Sequence, residues 1–550
     1  MLMCYSLCFL WILLLKTGGC NSSTTNNGGG ADIMLDIAKM SPLGDPEEIL
    51  AALRQVAKAV HRCGIKEYPN LKRVFLTNKT VTCNDGTSAG YYIRKAFGSS
   101  KWIIFLEGGW FCFDQTSCRE RWLNMKSYMT SRMWPEVKKG KGILSWDPEE
   151  NPYYFYSNMV YIPYCSSDSW TGSIKNPKDS FSFMGSLIIE EVIKDLIPQG
   201  LVIASKLILA GSSAGGTGVL MNLDRVSDLM ARLAPSVKVR GLADSGWFLD
   251  NEQYEPVPCV KAHSCAPTEG IRRGIDLWQG QVPEDCRRQY RDEPWRCYFG
   301  YRMYPTLRTP VYIVQYLFDE AQITANNVGP PVKKEQWRFI HEVGNEMKKT
   351  LQNVSAVFAP ACLSHILLTK SEWQKTAVNG VTLAQSIYCW ERGSDEELQC
   401  PLVRQRLKKI SKAVRKSSGN VAGKVEMPLG DDPVGTKAAK RLKNKKRRRR
   451  KKNKRRRRRK NKGKRGKRSL GKNSKRLCKH HLIDSCAWPQ CNFSCPKLRN
   501  PFTDEEMDFI DLLMQFGLDV SSIANALGMD METLQSMDHD VLMQMLTQQT

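Results

Sequence analysis

The sequence predicts an α/β protein with a mostly parallel sheet. Short apolar runs such as Trp102–Leu106, Leu207–Ala210 and Val311–Phe318 are separated by segments of helical spacing, the pattern of βαβ units. The first two runs are apolar at successive positions and the third is broken only by Gln315, as suits strands buried on both faces. Small or polar residues follow each run, so chemically able side chains gather beyond the strands' carboxyl ends, where open α/β sheets bind their ligands.

In chain order, residues 1–19 read as a signal peptide. The apolar stretch Leu7–Leu15 suits its core and is too short to span a bilayer. No later run of 18 apolar residues follows, so no membrane span is expected. Residues 20–44 are polar and glycine-rich and read as a disordered leader. The α/β domain is placed at 45–395. It begins with a helix over Pro46–Arg62 and two short strands, Val74–Cys83 and Ala89–Arg94, joined by the turn Asn84-Asp85-Gly86. Strands at Trp102–Leu106, Asn158–Tyr164, Lys206–Ala210, Val237–Ala243, Val311–Phe318 and Ser355–Phe358 follow. Helices are read at Phe181–Ile197 and Glu335–Leu351. Residues 251–300 carry four cysteines and few apolar runs, and read as a disulfide-stapled insertion.

The chemistry centres on Gly211-Ser212-Ser213-Ala214-Gly215. A strand that turns sharply into a helix through Gly-x-Ser-x-Gly is a nucleophile elbow, and it specifies the α/β-hydrolase fold with Ser213 as nucleophile. Glu107-Gly108-Gly109-Trp110 follows an apolar strand and resembles the glycine loop of esterases, with Glu at its head where those have His. The oxyanion donors are then the backbone N–H groups of Gly109, Trp110 and Ala214. Of seven histidines, His365 alone lies on a loop after the final strand. His61 and His263 lie far from that place, His341 falls inside a helix, and His480, His481 and His539 lie beyond the basic tract. His365 is the base. Asp319, after the preceding strand, is the acid, with Asp244 and Asp250 in reserve. The order Ser, Asp, His is that of the fold. Such a triad needs neither a metal nor an organic cofactor.

The formal charge of +27 is local. Residues 437–476 hold 27 Lys and Arg and no acid, and without them 55 basic residues face 55 acidic ones. The whole stretch 396–477 reads as a disordered polybasic insertion. Sixteen cysteines from Cys63 onward indicate an oxidising compartment. A secreted basic tract points to heparan sulfate rather than nucleic acid, and so to a protein held at the cell surface. Asn78, Asn353 and Asn492 head glycosylation sequons, as does Asn21. Arg465-Gly466-Lys467-Arg468 has the form of a convertase cleavage site. Residues 478–550 form a Cys-containing helical segment packed on the catalytic domain. Its cysteines suit disulfides better than zinc, and Thr503-x-x-Glu506 reads as a capping box before a helix from Met507.

Taken together, Glu107–Cys112, Gly211–Gly216, Leu242–Phe248, Leu317–Gln322 and Ala361–His365 resemble the Notum family of secreted carboxylesterases, relatives of the plant pectin acetylesterases. The resemblance covers about residues 45–395 and resumes at Cys486–Cys491; the insertion at 400–477 departs from it. It implies removal of palmitoleate from a serine of Wnt proteins, hence negative regulation of Wnt signalling, and heparan sulfate chains of glypicans as partners. It also implies an acyl pocket of Trp110, Phe111, Phe248, Ile271, Tyr298, Phe299 and Ala321. The alternatives are a polysaccharide O-acetylesterase with the same triad, and a non-enzymatic heparan-sulfate-binding matrix protein.

Overall fold

The computed structural model describes residues 70–175, 180–260, 263–329, 331, 333–393, 479–486, 489–499 and 506–507. The signal peptide, the leader, the helix read at 46–62, all of the polybasic insertion read at 396–477 with its cleavage motif, Cys478, and the helical segment read beyond Met507 with His539 lie outside them. One compact unit carries the described residues up to Ala384 and from His480 onward; Gln385–Gly393, which are helical, and Lys479 belong to a second. No described helix is long and apolar enough to cross a membrane.

The first unit is built on a ten-stranded sheet. Its strands are β1 (Leu71–Phe75), β2 (Gly90–Arg94), β3 (Lys101–Leu106), β4 (Val137–Lys138), β5 (Asn158–Ile162), β6 (Lys206–Ser212), β7 (Lys238–Asp244) and β8 (Val311–Val314). A two-stranded sheet pairs β9 (Phe318–Asp319) with β11 (Leu363–Ser364); β10 (Val357–Ala359) returns to the main sheet. A small hairpin, β12 (Ala377–Val378) and β13 (Val381–Thr382), precedes the last main-sheet strand, β14 (His481–Ile483); β15 (Leu498–Arg499) pairs with β16 (Glu506–Met507). The main-sheet order is β14-β10-β8-β7-β6-β3-β5-β2-β1-β4. The pairs from β14 through β5 are parallel, and those among β5, β2, β1 and β4 are antiparallel. The expected α/β-hydrolase architecture is therefore present. The centre of the sheet is apolar because helices cover both faces: every residue of β5 and β6 is buried.

Local sequence explains where the helices begin and end. Helix α1 (Gln115–Asn124) starts at a reciprocal cap, in which the Ser117 N–H donates to Asp114 Oδ1 at 2.7 Å and the Asp114 N–H donates to Ser117 Oγ at 3.1 Å. Helices α2 (Gly185–Leu196) and α3 (Ala214–Leu233) are amphipathic, and α3 buries Val219, Leu220, Leu223, Val226 and Met230. It stops at Ala234 because Pro235 cannot continue it. Helices α4 (Pro267–Trp278) and α5 (Glu284–Gln289) belong to the 251–300 insertion, stapled by Cys259–Cys265 and Cys286–Cys297. Helix α6 (Glu320–Ala325) follows β9, and α7 (Lys334–Leu351) precedes β10.

Three readings are corrected. The run Val311–Phe318 is not one strand: β8 ends at Val314, and β9 leaves the main sheet to pair with β11. Glu506 and Met507 form a strand against Leu498–Arg499 where a capping box and helix start were expected, since an antiparallel partner satisfies the same backbone groups. The C-terminal segment also supplies a main-sheet strand, β14 beside β10. Its described cysteines are bound in Cys362–Cys495 and Cys486–Cys491, so those three are not free to bind zinc.

Strand β3 packs tightly on the start of α3. A Cβ at Gly215 would stand 2.1 Å from the Leu106 carbonyl oxygen and 2.9 Å from that of Glu107, both main-chain atoms. Gly215→Ala is expected to destabilise the fold by about 1–3 kcal/mol through overpacking. Thermal unfolding should then begin a few degrees lower than in wild type.

Candidate active site

Ser213 sits between the last residue of β6 and the first of α3, at φ 58° and ψ −126°. A residue with a Cβ avoids this region, and holding one there costs on the order of 1–3 kcal/mol. The surroundings impose it. The Ser213 N–H donates to the Asp244 carbonyl at 2.8 Å, and the Thr217 N–H donates to the Ser213 carbonyl at 3.0 Å. The turn projects the hydroxyl from the sheet's carboxyl edge, and the N-terminus of α3 aims positive potential at it.

The loop after β3 lies against this turn. A Cβ at Gly108 would stand 2.6 Å from Ser212 O and 2.8 Å from Ser213 Cβ, so only glycine allows the approach. Gly109 and Trp110 follow at φ 139° and 63°. The N–H groups of Gly109, Trp110 and Ala214 donate to no other group among the described residues. Three unspent donors thus surround the serine, which is the arrangement an oxyanion needs.

Pairing of β9 with β11 sets Asp319 opposite Ser364 and so beside His365. His365 Nδ1 lies 2.9 Å from Asp319 Oδ2 and 3.0 Å from Oδ1. A carboxylate there fixes the Nδ1–H tautomer and leaves Nε2 as the acceptor. Asp319 is fully buried. It also accepts from the Ala321 N–H at 3.0 Å, the Gln322 N–H at 3.1 Å and Gln315 Nε2 at 3.2 Å, which fix its orientation toward the imidazole. Burial alone would lower the His365 pKa. The charge and hydrogen bond of Asp319, with the charges of Asp244 and Glu320, outweigh burial and raise it above the ordinary histidine value.

The two reserve acids have other work. Asp244 is fully buried, and burial raises its pKa against the hydrogen bonds that favour its charge. Its Oδ2 accepts from Ser212 Oγ at 2.6 Å and from the N–H groups of Leu367 and Leu368 at 2.9 and 3.0 Å. It therefore ties the elbow strand to the loop that carries His365. Ser245 Oγ accepts from the Ile366 N–H at 3.0 Å. Asp250 binds Tyr301 and Arg302 instead.

Two cavities meet at Trp110 and Ser213. One is a cleft of about 850 Å³ lined by Ser213, His365, Gly108, Gly109, Tyr128, Lys138, Lys141, Glu320 and Ala321, among others. The other is an apolar pocket lined by Trp110, Phe111, Phe248, Ile271, Tyr298, Phe299 and Ala325, with Ser213 and Ala214 at its mouth. Six of the seven expected pocket residues line the apolar pocket together. Ala321 does not: it lies on the cleft, and Ala325, one turn later on α6, takes the pocket wall. The rings interlock, with Trp110 stacked on Phe111 at 6.2 Å and Phe111 edge-on to Trp278 at 5.6 Å. His263, dismissed on sequence position, lines the cleft because the Cys259–Cys265 staple folds its loop there; nothing in its local sequence signals this. His341 packs against the Phe318 ring.

Among the sequons, Asn353 is exposed and Asn78 half-exposed. Asn492 is committed: its Nδ2 donates to the Ala377 carbonyl at 2.8 Å and to Asp484 Oδ2 at 2.6 Å. A glycan at Nδ2 would break at least one of these bonds, so the geometry argues against that site.

Comparison with known proteins follows the same lines. A family model described as pectinacetylesterase matches residues 66–407. The chain is 42% identical to the palmitoleoyl-protein carboxylesterase NOTUM of Mus musculus over 501 residues, covering 90% of this chain and 86% of that protein. It is 39% identical to that of Drosophila melanogaster, covering 87% of each. Among solved structures, that of the Wnt deacylase Notum from Drosophila matches with a TM-score of 0.60 at 40% identity, covering 78% of this chain and all of that one.

Three carboxylates face His365: Asp319, Asp244 and Glu320. A base must be neutral to work, so the acid limb of kcat/KM should fall at a pH above that of ordinary histidine. Asp244→Asn removes one negative charge, lowers the His365 pKa and should move that limb to lower pH. Asp319→Asn should reduce kcat by roughly 10⁴ through loss of the productive tautomer. pH–rate profiles of a soluble ester substrate check both.

Proposed function

The chain belongs to the pectinacetylesterase family and, within it, to the palmitoleoyl-protein carboxylesterases, and from that premise we propose that it removes palmitoleate from a serine of Wnt proteins through an acyl-enzyme on Ser213. It is a carboxylesterase, and its action on Wnt makes it a negative regulator of that pathway. The observation that carries the acyl specificity is the apolar pocket that opens at Ser213 between Trp110 and Phe248.

Ser213 Oγ attacks the ester carbonyl, and His365 Nε2 takes its proton. Asp319 holds the imidazole and stabilises the imidazolium. The oxyanion is received by the N–H groups of Gly109, Trp110 and Ala214. His365 then protonates the departing serine hydroxyl, and water, activated by the same base, releases the fatty acid. The acyl chain occupies the apolar pocket and the protein part of the substrate occupies the cleft. Burying a long chain can contribute up to roughly 10 kcal/mol at ~0.8 kcal/mol per CH₂, less the cost of association. The pocket holds only about 50 Å³ as it stands, so a long chain enters as its side-chain walls move apart; the apolar lining, rather than the volume, favours lipid esters over acetylated sugars.

The polybasic tract supports a second role for the secreted protein, retention on heparan sulfate chains such as those of glypicans. Binding through many Lys and Arg contacts is steeply salt-dependent.

Hydrolysis of acetyl, octanoyl and longer acyl esters by secreted protein tests the first proposal. Octanoyl and longer esters should be preferred, and Ser213→Ala should lose activity by orders of magnitude, leaving only catalysis by binding and the oxyanion donors. A preference for acetyl esters would overturn the lipid reading. Deleting residues 437–476 should abolish retention on a heparin column at physiological salt while leaving hydrolysis of the soluble ester intact.

A further inference from the structure

We propose that Arg121 is a positioning residue for the oxyanion hole, holding the carbonyl of the Gly109–Trp110 peptide so that the Trp110 N–H is aimed at, and polarised toward, the reacting oxygen. Arg121 lies on the buried face of α1 with Ser117 and Cys118. Its Nη2 donates to the Gly109 carbonyl at 2.6 Å. That carbonyl and the Trp110 N–H belong to one peptide unit. The peptide is trans, so the two point in opposite directions. Fixing the oxygen on Arg121 directs the N–H away from it, on the side where Trp110 meets Ser213 at the junction of cleft and pocket.

The hold is needed, because Gly109 and Trp110 both have positive φ and the loop has no strand partner of its own. Regular structure does not dictate this conformation, and a fixed donor does. Arg121 is itself fixed: Nε donates to Ser167 Oγ at 2.9 Å, and the guanidinium lies over the rings of Tyr128 and Tyr164, 5.4 and 5.8 Å from their centroids. The Cys112–Cys118 disulfide closes the chain between the loop and α1, so the two move as one piece.

The charge is the second argument. Arg121 is 5% exposed and makes no ion pair among the described residues. A buried cation that touches no carboxylate is costly, and the charge of Asp168 answers this one only from a distance. Here the peptide carries its field: a cation on the carbonyl oxygen draws electrons toward that end and strengthens the N–H as a donor. When the substrate oxygen becomes negative it gains both the directed N–H and the incompletely compensated charge behind it. That interaction is worth more in the transition state than in the ground state, as catalysis requires.

The proposal rests on acyl transfer at Ser213, and the test separates the two. Full-length Arg121→Gln and Arg121→Lys are compared with wild type, with Ser213→Ala as the blank. Three quantities are measured: kcat and KM on p-nitrophenyl octanoate, Ki for octyl trifluoromethyl ketone, whose Ser213 adduct carries an oxyanion, and Ki for 1-decanol, which fills only the acyl pocket. Arg121→Gln should lower kcat by roughly tenfold to a hundredfold and weaken the ketone by a matching factor. KM and the decanol Ki should stay within about twofold. Arg121→Lys, which keeps the charge but not the fork, should recover part of the loss. Unchanged ketone affinity, or equal weakening of ketone and decanol, overturns the proposal. Should both variants fail to fold, Ser167→Ala, which removes only the Nε partner, is read the same way: a loss confined to kcat and ketone binding supports it, and wild-type values overturn it. Wild type no more active than Ser213→Ala would instead sink the esterase reading.

Discussion

The strained turn at Ser213 is the constraint on which the rest of the molecule depends. A serine at φ 58° and ψ −126° persists only where its neighbours overdetermine it. Those neighbours come from β7. Register pairs Ser212 with Asp244, whose carbonyl accepts the Ser213 N–H and whose carboxylate accepts the Ser212 hydroxyl. The same carboxylate accepts the backbone of Leu367 and Leu368. One buried side chain thereby fixes the nucleophile's strand and the base's loop relative to each other. This division of labour suits a residue that stands where an acid could have stood: it holds the two segments together and leaves Asp319 to orient the imidazole.

In the proposed reaction the sheet supplies the chemistry and the insertion supplies the acyl specificity. Ser213, the glycine loop and the β9/β11 pair all sit at carboxyl ends of strands. Ile271, Tyr298 and Phe299, by contrast, come from residues 251–300, which add nothing to the sheet and are shaped by two disulfides. A loop-rich wall of this kind would cost considerable ordering entropy on binding an acyl chain. Closing its loops covalently removes part of that cost from the unfolded ensemble instead.

How much of this was legible follows from how local each signal is. The elbow, the glycine loop and the Ser, Asp, His order are short-range patterns tied to strand ends, and the sequence shows them directly. Asp244 appeared as a competing acid because its position after a strand is the same; only the register of β6 on β7 reveals its structural role. The break at Val314 was hidden because Tyr316-Leu317-Phe318 resumes the apolar run after the single polar residue Gln315, across a change of sheet. Ala325 replaced Ala321 on the pocket wall through a one-turn phase difference on α6, which a resemblance cannot fix. Strand β14 and the position of His263 depend on contacts between distant segments, and neither has a local signature.

The charges around the site are arranged in two poles. Asp319, Asp244 and Glu320 face His365, and Arg121 stands behind the Gly109–Trp110 peptide. Arg121, Asp319 and Asp244 are buried, so water screens them little, whereas Glu320 is exposed and contributes less. In the proposed reaction, attack by Ser213 moves a proton to His365 and negative charge to the substrate oxygen, creating a cation at the acidic pole and an anion at the basic one. Each pole is preorganised for the charge that appears beside it, and nothing has to reorient as it appears. The raised pKa of His365 is the ground-state trace of this design: the carboxylates that favour the imidazolium during the reaction also favour it at rest. Activity at mildly acid pH is what the enzyme gives up for a base that holds its proton well once it has taken it.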